Sequence, residues 1–403
     1  MPPAVTPPDS EQIDDRSDPA EGARRASPPA QNFRFYDNRQ NYLLFVNTCS
    51  EKWVIADRVG RELERIEPKQ PAIRFFDAGV GDGTIAARVM RQMHRRFERH
   101  PLYVAGKEIS LEDIRLFLDK MPDRLFEHPE TVLAITNISY RDAPWLRPAS
   151  EEARRRLVWK EVALTGTTTA DFEQQIQALQ PFLAEHWTTR LSETTGSMVP
   201  ETPTVLVLYR EDCRFLLDHV IPRQDRPCAD FDLALASQPF RLRAQVDFKA
   251  KSVLAPLARS LRAGGRLLGI HSAGNDPGIE IIGRVWPGED PFVTSRHEIV
   301  EATRAALGEE ARDFTFDPLP DARSLFRYEM HTLPDELDRE STKIGTSTLL
   351  AAWNAAVYVA QMDDERVTAA MTGPDYLEAT RAVLGNYGEL WFNDESYVIS
   401  RHR

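Results

Sequence analysis

Three glycines in five positions, Gly79, Gly81 and Gly83, stand between a short apolar run, Ile73-Arg-Phe-Phe-Asp77, and an amphipathic stretch that opens at Thr84. Five residues with these flanks read as a buried strand, and the apolar spacing over residues 84–98 reads as a helix. Glycine lets the backbone turn tightly between the two and lets a ligand come close to it. Such a turn is informative in this setting, after a strand and opening a helix. The pattern then repeats. Leu102-Tyr-Val-Ala-Gly-Lys-Glu108 reads as a second strand, residues 111–120 as a second helix, and Thr131-Val-Leu-Ala-Ile-Thr-Asn137 as a third strand. This alternation predicts an α/β fold built on a parallel sheet.

The rest of the chain divides around that unit. Residues 1–30 are rich in Pro, Asp, Glu, Ser and Ala and carry a net charge of −3. They hold too little apolar surface to offset their ordering entropy and read as a disordered tail without a secretory leader pattern. Residues 31–70 read as a helical segment, with Tyr42, Phe45, Trp53 and Val59 at helical spacing through about residue 66. Residues 71–144 hold the first half of the sheet. Residues 145–230 interrupt it with a helix over 171–191, a Ser/Thr/Gly/Pro-rich loop and the apolar run Val205–Tyr209, and read as an α/β insertion. Residues 231–403 resume the pattern with a strand at Phe231–Ser237, a helix over 245–262 stopped by Gly264-Gly265, and a strand at Arg266–His271. Helices near 297–307, 346–362 and 375–384 follow, with weaker strands near 313–317 and 325–330. Leu390–Phe392 and Tyr397–Ser400 read as a closing hairpin that turns at Asn393-Asp394.

Charge limits what the glycine turn can hold. The 403 residues carry 50 Lys and Arg against 62 Asp and Glu, a net charge of −12. That argues against a nucleic-acid partner held on a broad basic face. Residues 145–230, with 10 basic and 13 acidic side chains, offer no stripe that would follow phosphates. No run approaches the roughly 18 apolar residues of a membrane-spanning helix. Three widely spaced cysteines, Cys49, Cys213 and Cys228, suit a reducing cytoplasm rather than a disulfide scaffold or a zinc cluster. Beside the glycines, Asp77 and Asp82 add negative charge. Gly81-Asp-Gly-Thr-Ile-Ala86 also fits a loose NAD(P) dinucleotide fingerprint. A pyrophosphate wants amide donors and positive potential, however. The two carboxylates suit a cationic, phosphate-free ligand better, and S-adenosylmethionine, with a sulfonium and an amino group, is one.

Asp77-Ala-Gly-Val-Gly-Asp-Gly83 resembles motif I of the class I S-adenosylmethionine-dependent methyltransferases. The resemblance covers roughly residues 70–275 and the closing strand pair. It implies a doubly wound, mostly parallel Rossmann-like sheet with an antiparallel C-terminal strand, a helical N-terminal lid and S-adenosylmethionine as cofactor. The implied activity is methyl transfer to nitrogen or oxygen of a small-molecule acceptor. A nucleic-acid or protein amino-methyltransferase and an NAD(P)-dependent oxidoreductase are the alternatives. The implied cofactor contacts are Asp77, Gly79, Gly81 and Gly83, then Glu108, where the family has an acidic residue accepting from both ribose hydroxyls. A carboxylate has acceptor sites enough for that, although a surface glutamate fits the same position. Asn137 stands where the family often reads the adenine amino group, and Ile109 or Ile138 would cover the adenine face.

Ser237-Gln-Pro-Phe240 ends the fourth strand and resembles the Asn/Asp/Ser-Pro-Pro-Tyr/Phe motif of amino-methyltransferases, with Gln238 where the family has proline. An ordinary loop entering a helix fits the same residues. Ligands of open α/β sheets bind at the carboxyl ends of the strands, which makes Ser237 and Gln238 catalytic candidates. His271 ends the fifth strand at that edge, as a general base or as a structural residue. Tyr36, Tyr42 and Phe45 ahead of the turn, and Phe240, are candidates to line the acceptor pocket, since aromatic faces attract cations. Plain core packing explains the same spacing. The 145–230 insertion and the C-terminal helices would shape that pocket. Methyl transfer asks the protein for alignment and a dry site, so no metal is called for.

Overall fold

The computed structural model describes residues 39–192, 198–331 and 344–402. The 1–30 tail and Tyr36 lie outside the described residues. Three strands, β1 (Ile73–Asp77), β2 (Leu102–Lys107) and β3 (Thr131–Thr136), lie side by side in parallel, in that order. Every residue of β2 and β3 is buried, which is why they read as unbroken apolar runs: helices cover both faces of a parallel sheet. Phe75 belongs to the core on one face and Phe76 to the core on the other, as alternation along a strand requires.

The insertion extends this sheet. Its β4 (Val158–Leu164) pairs with β7 (Thr204–Arg210), and β7 runs antiparallel along the outer edge of β3. A two-stranded ribbon, β5 (Thr189–Leu191) and β6 (Met198–Pro200), lies between them in sequence. The helix expected over 171–191 breaks in two, Thr169–Gln177 and Gln180–His186. Pro181 sits in the first turn of the second piece, where its missing N–H costs nothing.

On the other edge of β1 lie β8 (Phe231–Ser237) and β9 (Leu261–Ser272), both parallel to it. Beyond them β12 (Trp391–Arg401) runs antiparallel to β9, with β10 (Phe314–Asp317) and β11 (Leu325–Glu329) on its outer edge. This is a mostly parallel, Rossmann-like α/β sheet closed by an antiparallel C-terminal strand. Among the described residues, no helix is long and apolar enough to cross a membrane.

Two local expectations are corrected. The closing hairpin is one strand: Asn393 and Asp394 continue β12 because β11 and β9 take both of its edges there. Gly264-Gly265 does not end a helix. The helical stretch stops at Arg259, and the glycines sit inside β9, where its pairing with β8 slips. A Cβ on Gly265 would lie 2.5 Å from the Phe231 carbonyl oxygen, so the close approach of the two strands needs glycine. The N-terminal helical segment is two helices, α1 (Arg39–Thr48) and α2 (Glu51–Leu63). The break at Ser50 is stitched to β11 by the Ser50 N–H on the Glu329 carbonyl (2.8 Å) and the Glu329 N–H on Ser50 Oγ (2.9 Å).

Register brings the candidate site residues to one edge. Asp77 is level with Gly106 on β2 and with Leu235 on β8, and Gly106 with Ile135 on β3. The residues just past these positions, Glu108, Asn137 and Ser237, therefore emerge together at the carboxyl ends. Because β12 is antiparallel, its beginning reaches the same edge, with Asp394 opposite Ser272.

Candidate functional site

The turn after β1 carries left-handed backbone at Gly81 (φ 51°) and Gly83 (φ 80°). Gly83 opens α3 (Thr84–Arg96) and packs against α4 (Leu111–Asp119), where an added Cβ would stand 2.9 Å from the Phe117 Cα. Gly79 faces open space, with nothing within 4 Å of an added Cβ. The turn is thus closed on its helix side and open at its first glycine.

The two aspartates flanking the turn have different duties. Asp82 fastens it: its carboxylate accepts from the Thr84 hydroxyl, the Thr84 N–H (3.3 Å) and the Tyr42 hydroxyl (3.3 Å), and Lys120 Nζ lies 3.5 Å away. Burial works against its anion, but Lys52, Thr84 and Lys120 outweigh it and hold the carboxyl below its usual value. Asp77 is 2% exposed; its Oδ1 accepts from the Gly79 N–H (3.1 Å), and its Oδ2 has no hydrogen-bond partner. Burial pushes this carboxyl up to about 6, against the Gly79 N–H and Lys52, with Glu108 adding to the rise.

Glu108 is buried at the end of β2. Its Oε1 accepts from the N–H groups of Ile109 (2.7 Å) and Ser110 (2.9 Å), and its Oε2 from the Gly81 N–H (3.0 Å). Three of about four acceptor sites are filled. One is left open, and accepting two further donors would require the Gly81 amide to let go. Burial raises the Glu108 carboxyl, with Asp113 adding to it.

Asn137 is turned away from that edge. Its Oδ1 accepts from the Thr204 N–H (2.7 Å), and its Nδ2 donates to the Thr202 (2.9 Å) and His186 (3.4 Å) carbonyls. The amide expected to read adenine is spent on fastening the insertion. Asn137→Ala is expected to leave the buried Thr204 N–H unpaired and to cost about 1–3 kcal/mol of stability, read as a lowered urea midpoint and faster amide exchange in β7. Ile138 is buried in the core on the Phe76 face of the sheet, whereas Ile109 is half-buried at the edge. The insertion also delivers Trp187, whose Nε1 donates to the Glu108 carbonyl (2.9 Å). It therefore braces the β2–β3 end of the site, not the β8–β9 end.

At the β8–β9 end, Gln238 holds left-handed backbone (φ 46°), a cost of order 1–2 kcal/mol for a residue with a Cβ. Its Nε2 donates to Ser272 Oγ (3.1 Å) and to Glu51 Oε1 (3.3 Å) on α2. Ser237 is half-buried beside it. Glu51 Oε2 faces the Lys52 ammonium at 3.3 Å. Burial disfavours that ammonium, but Glu51, Tyr42 and Asp82 outweigh it and raise its pKa. Lys52 is also felt by Asp77 and Asp394, so one ammonium is shared among four carboxylates.

His271 is not part of this group. Its side chain faces the opposite side of the sheet from Ser272, and its Nε2 is 2.8 Å from Glu395 Oε1. Glu395 also accepts from the Arg296 N–H and guanidinium (2.7 Å each). Phe240 likewise lies in the core behind the sheet, with Lys249 Nζ over its ring. Tyr42 and Phe45 do reach the edge: Tyr42 touches Asp82, and Phe45 stacks on Tyr358 (4.6 Å between centroids) with Tyr328 edge-on. A separate cavity of about 510 Å³ lies near Arg74 and Tyr103, at the amino ends of the strands, away from the glycine turn.

No family model matches the chain, and no curated protein matches it. Among solved structures it is similar to a loganic acid methyltransferase with SAH, at 9% identity over 94% of this chain and 98% of that one, with a TM-score of 0.34. It is similar to a geranyl diphosphate methyltransferase in complex with GPP and sinefungin, at 11% identity over 87% and 78%, TM-score 0.31. It is also similar to an rRNA methyltransferase from Streptomyces viridochromogenes, at 13% identity over 54% and 72%, TM-score 0.21. Superpositions at these scores are loose.

Proposed function

We propose that this chain is an S-adenosylmethionine-dependent methyltransferase that modifies nitrogen or oxygen of a small-molecule acceptor. The observation that carries the reading is Asp77: a buried carboxylate with one oxygen unpartnered, at the open side of a glycine turn. A buried carboxylate without a full set of donors is costly, and a ligand ammonium relieves that cost. Glu108, one acceptor site still free, stands ready for a ribose hydroxyl. The residues present thus suit a ligand with cationic groups and a ribose. They do not suit a pyrophosphate, which would meet Asp77 and Glu108 instead of positive charge.

When bound, the cofactor supplies an activated methyl group. The chain's own residues supply the rest. Asp77 and Glu108 position the donor, Tyr42 and α1 cover the turn, and Gln238 and Ser272 mark the acceptor side. An acidic edge and an insertion tied into the sheet through Asn137 favour a small acceptor over a nucleic acid.

Calorimetric titration with S-adenosylhomocysteine, the product of methyl transfer, tests the reading. Micromolar binding is expected, with none for a nicotinamide dinucleotide. A folded protein that ignores S-adenosylhomocysteine would overturn the proposal. Glu108→Ala is expected to weaken that binding by about 1.5–3 kcal/mol, the range for hydrogen bonds to a charged acceptor. A change under twofold would remove Glu108 from the cofactor site.

A further inference from the structure

The acceptor side holds more hydrogen-bond acceptors than donors. Asp394, fully buried on β12, has no donor in good hydrogen-bond geometry at either carboxylate oxygen; the Ser272 hydroxyl stands opposite it on β9 and only partly offsets its burial. Glu51 Oε2 accepts no hydrogen bond and meets only the shared Lys52 ammonium. Gln238 has already given its amide protons to Glu51 and Ser272. Asp276, the next carboxylate, is spent on the Ile279 N–H (2.9 Å) and the Asn393 N–H (3.0 Å). An independent observation comes from β11. The Tyr328 hydroxyl, on a side chain 1% exposed, also lacks a partner, and Asp394 and Glu51 are the charges that act on it most strongly.

A hydroxyl acceptor brings one donor and no charge, and a carboxylate acceptor brings further negative charge. An ammonium brings up to three donors and the missing positive charge. The neighbouring rings of Phe45, Tyr328 and Tyr358 add aromatic surface that attracts cations. Resting on the methyltransferase reading above, we propose that the acceptor is a small aliphatic amine, held as its ammonium between Asp394 and Glu51, with the Asp394 carboxylate taking its proton. One N–H proton passes to Asp394 and leaves a lone pair on nitrogen. That pair forms the new C–N bond as the bond from the methyl carbon to the sulfonium sulfur breaks, its electrons remaining on sulfur. Burial raises the Asp394 carboxyl well above its ordinary value. Glu51 and Asp276 reinforce the rise and Ser272 and Lys52 oppose it, so the carboxylate is a stronger base than one in water.

Ligand-observed NMR titrations of n-butylamine and of its neutral isostere n-butanol, against the full chain saturated with S-adenosylhomocysteine near neutral pH, test this. Wild type is expected to bind the amine at least about tenfold more tightly than the alcohol, a difference of about 1.4 kcal/mol. Asp394→Asn is expected to erase that preference while keeping its S-adenosylhomocysteine affinity within about threefold, and Glu51→Gln to reduce the preference. Near-UV circular dichroism identifies a variant that has not folded, in which case Glu51→Gln decides. Equal binding of amine and alcohol, no amine binding by wild type, or a preference that survives in the folded variants overturns the amine assignment and leaves the methyltransferase reading standing. Failure of wild type to bind S-adenosylhomocysteine removes that reading, and the amine proposal with it.

Discussion

Asp77→Asn is expected to stabilise the ligand-free protein above pH 6 and, in the same variant, to weaken S-adenosylhomocysteine binding by at least about 30-fold. Both effects have one cause. Burial lifts the Asp77 carboxyl from 3.8 to about 6. A folded-state pKa above the unfolded one means that the fold favours the protonated form. The associated stability is fully present below the unfolded value and is lost as pH rises through about 6. At pH 8 the wild-type protein therefore holds a buried anion at a cost of up to about 3 kcal/mol, from the linkage of about 1.4 kcal/mol per pH unit. Asparagine keeps the shape, can still accept from the Gly79 N–H, and removes the charge. A melting temperature several degrees higher than wild type is expected at pH 8, with the gap narrowing at pH 4.5. The same substitution deletes the carboxylate offered to the ligand amino group, and losing one partner of a buried charge pair costs about 2–5 kcal/mol. Equal melting temperatures at pH 8, or undiminished binding, would remove Asp77 from this role.

Gly83→Ala is expected to lose about 2–5 kcal/mol of stability, a large share of what holds a domain together. An added Cβ there meets the Phe117 ring at 2.7 Å and its backbone Cα at 2.9 Å. Overpacking costs about 1–3 kcal/mol, and left-handed backbone, here φ 80°, adds about 1–2 kcal/mol for any residue with a side chain. Gly79→Ala has neither problem, with open space around the new methyl and no left-handed φ. It is expected to keep its urea midpoint and to lose ligand affinity alone, because the methyl stands where a ligand must approach the turn. Two glycines four positions apart thus separate folding from binding. Matching urea midpoints for Gly83→Ala and wild type would mean that the turn relaxes away from α4.

Much of this protein is legible in its sequence where the cause is local. The order of strand, glycine turn and helix from Ile73 to Arg96 follows from short-range pattern, and so do β2, β3 and β8, whose burial on both faces leaves continuous apolar runs. The positions of Asp77 and Glu108 follow too, because a carboxyl end of a parallel strand is a fixed place in such a sheet. Elsewhere strand pairing overrides local preference. Asn393 and Asp394 are poor strand formers and read as a turn, yet they continue β12 because neighbouring strands occupy both edges. Asn137 has the right position for a ligand contact, but its side chain answers to Thr202 and Thr204, at the far end of an insertion whose course no local pattern reveals. His271 and Ser272 are adjacent in sequence, and strand alternation sends one to each face.

The sequence by itself determined the glycine turn, its two acidic flanks and the parallel sheet that carries them, since these depend on backbone freedom and on apolar periods of a few residues. Only the tertiary structure decided which carboxylates share a site. Gln238 meets Glu51 across 187 positions, and Asp394 meets Ser272 through the antiparallel strand that closes the sheet. Whether a buried acid is satisfied, as Asp82 and Asp276 are, or left short of donors, as Asp77 and Asp394 are, depends on groups that the chain brings together only when it folds.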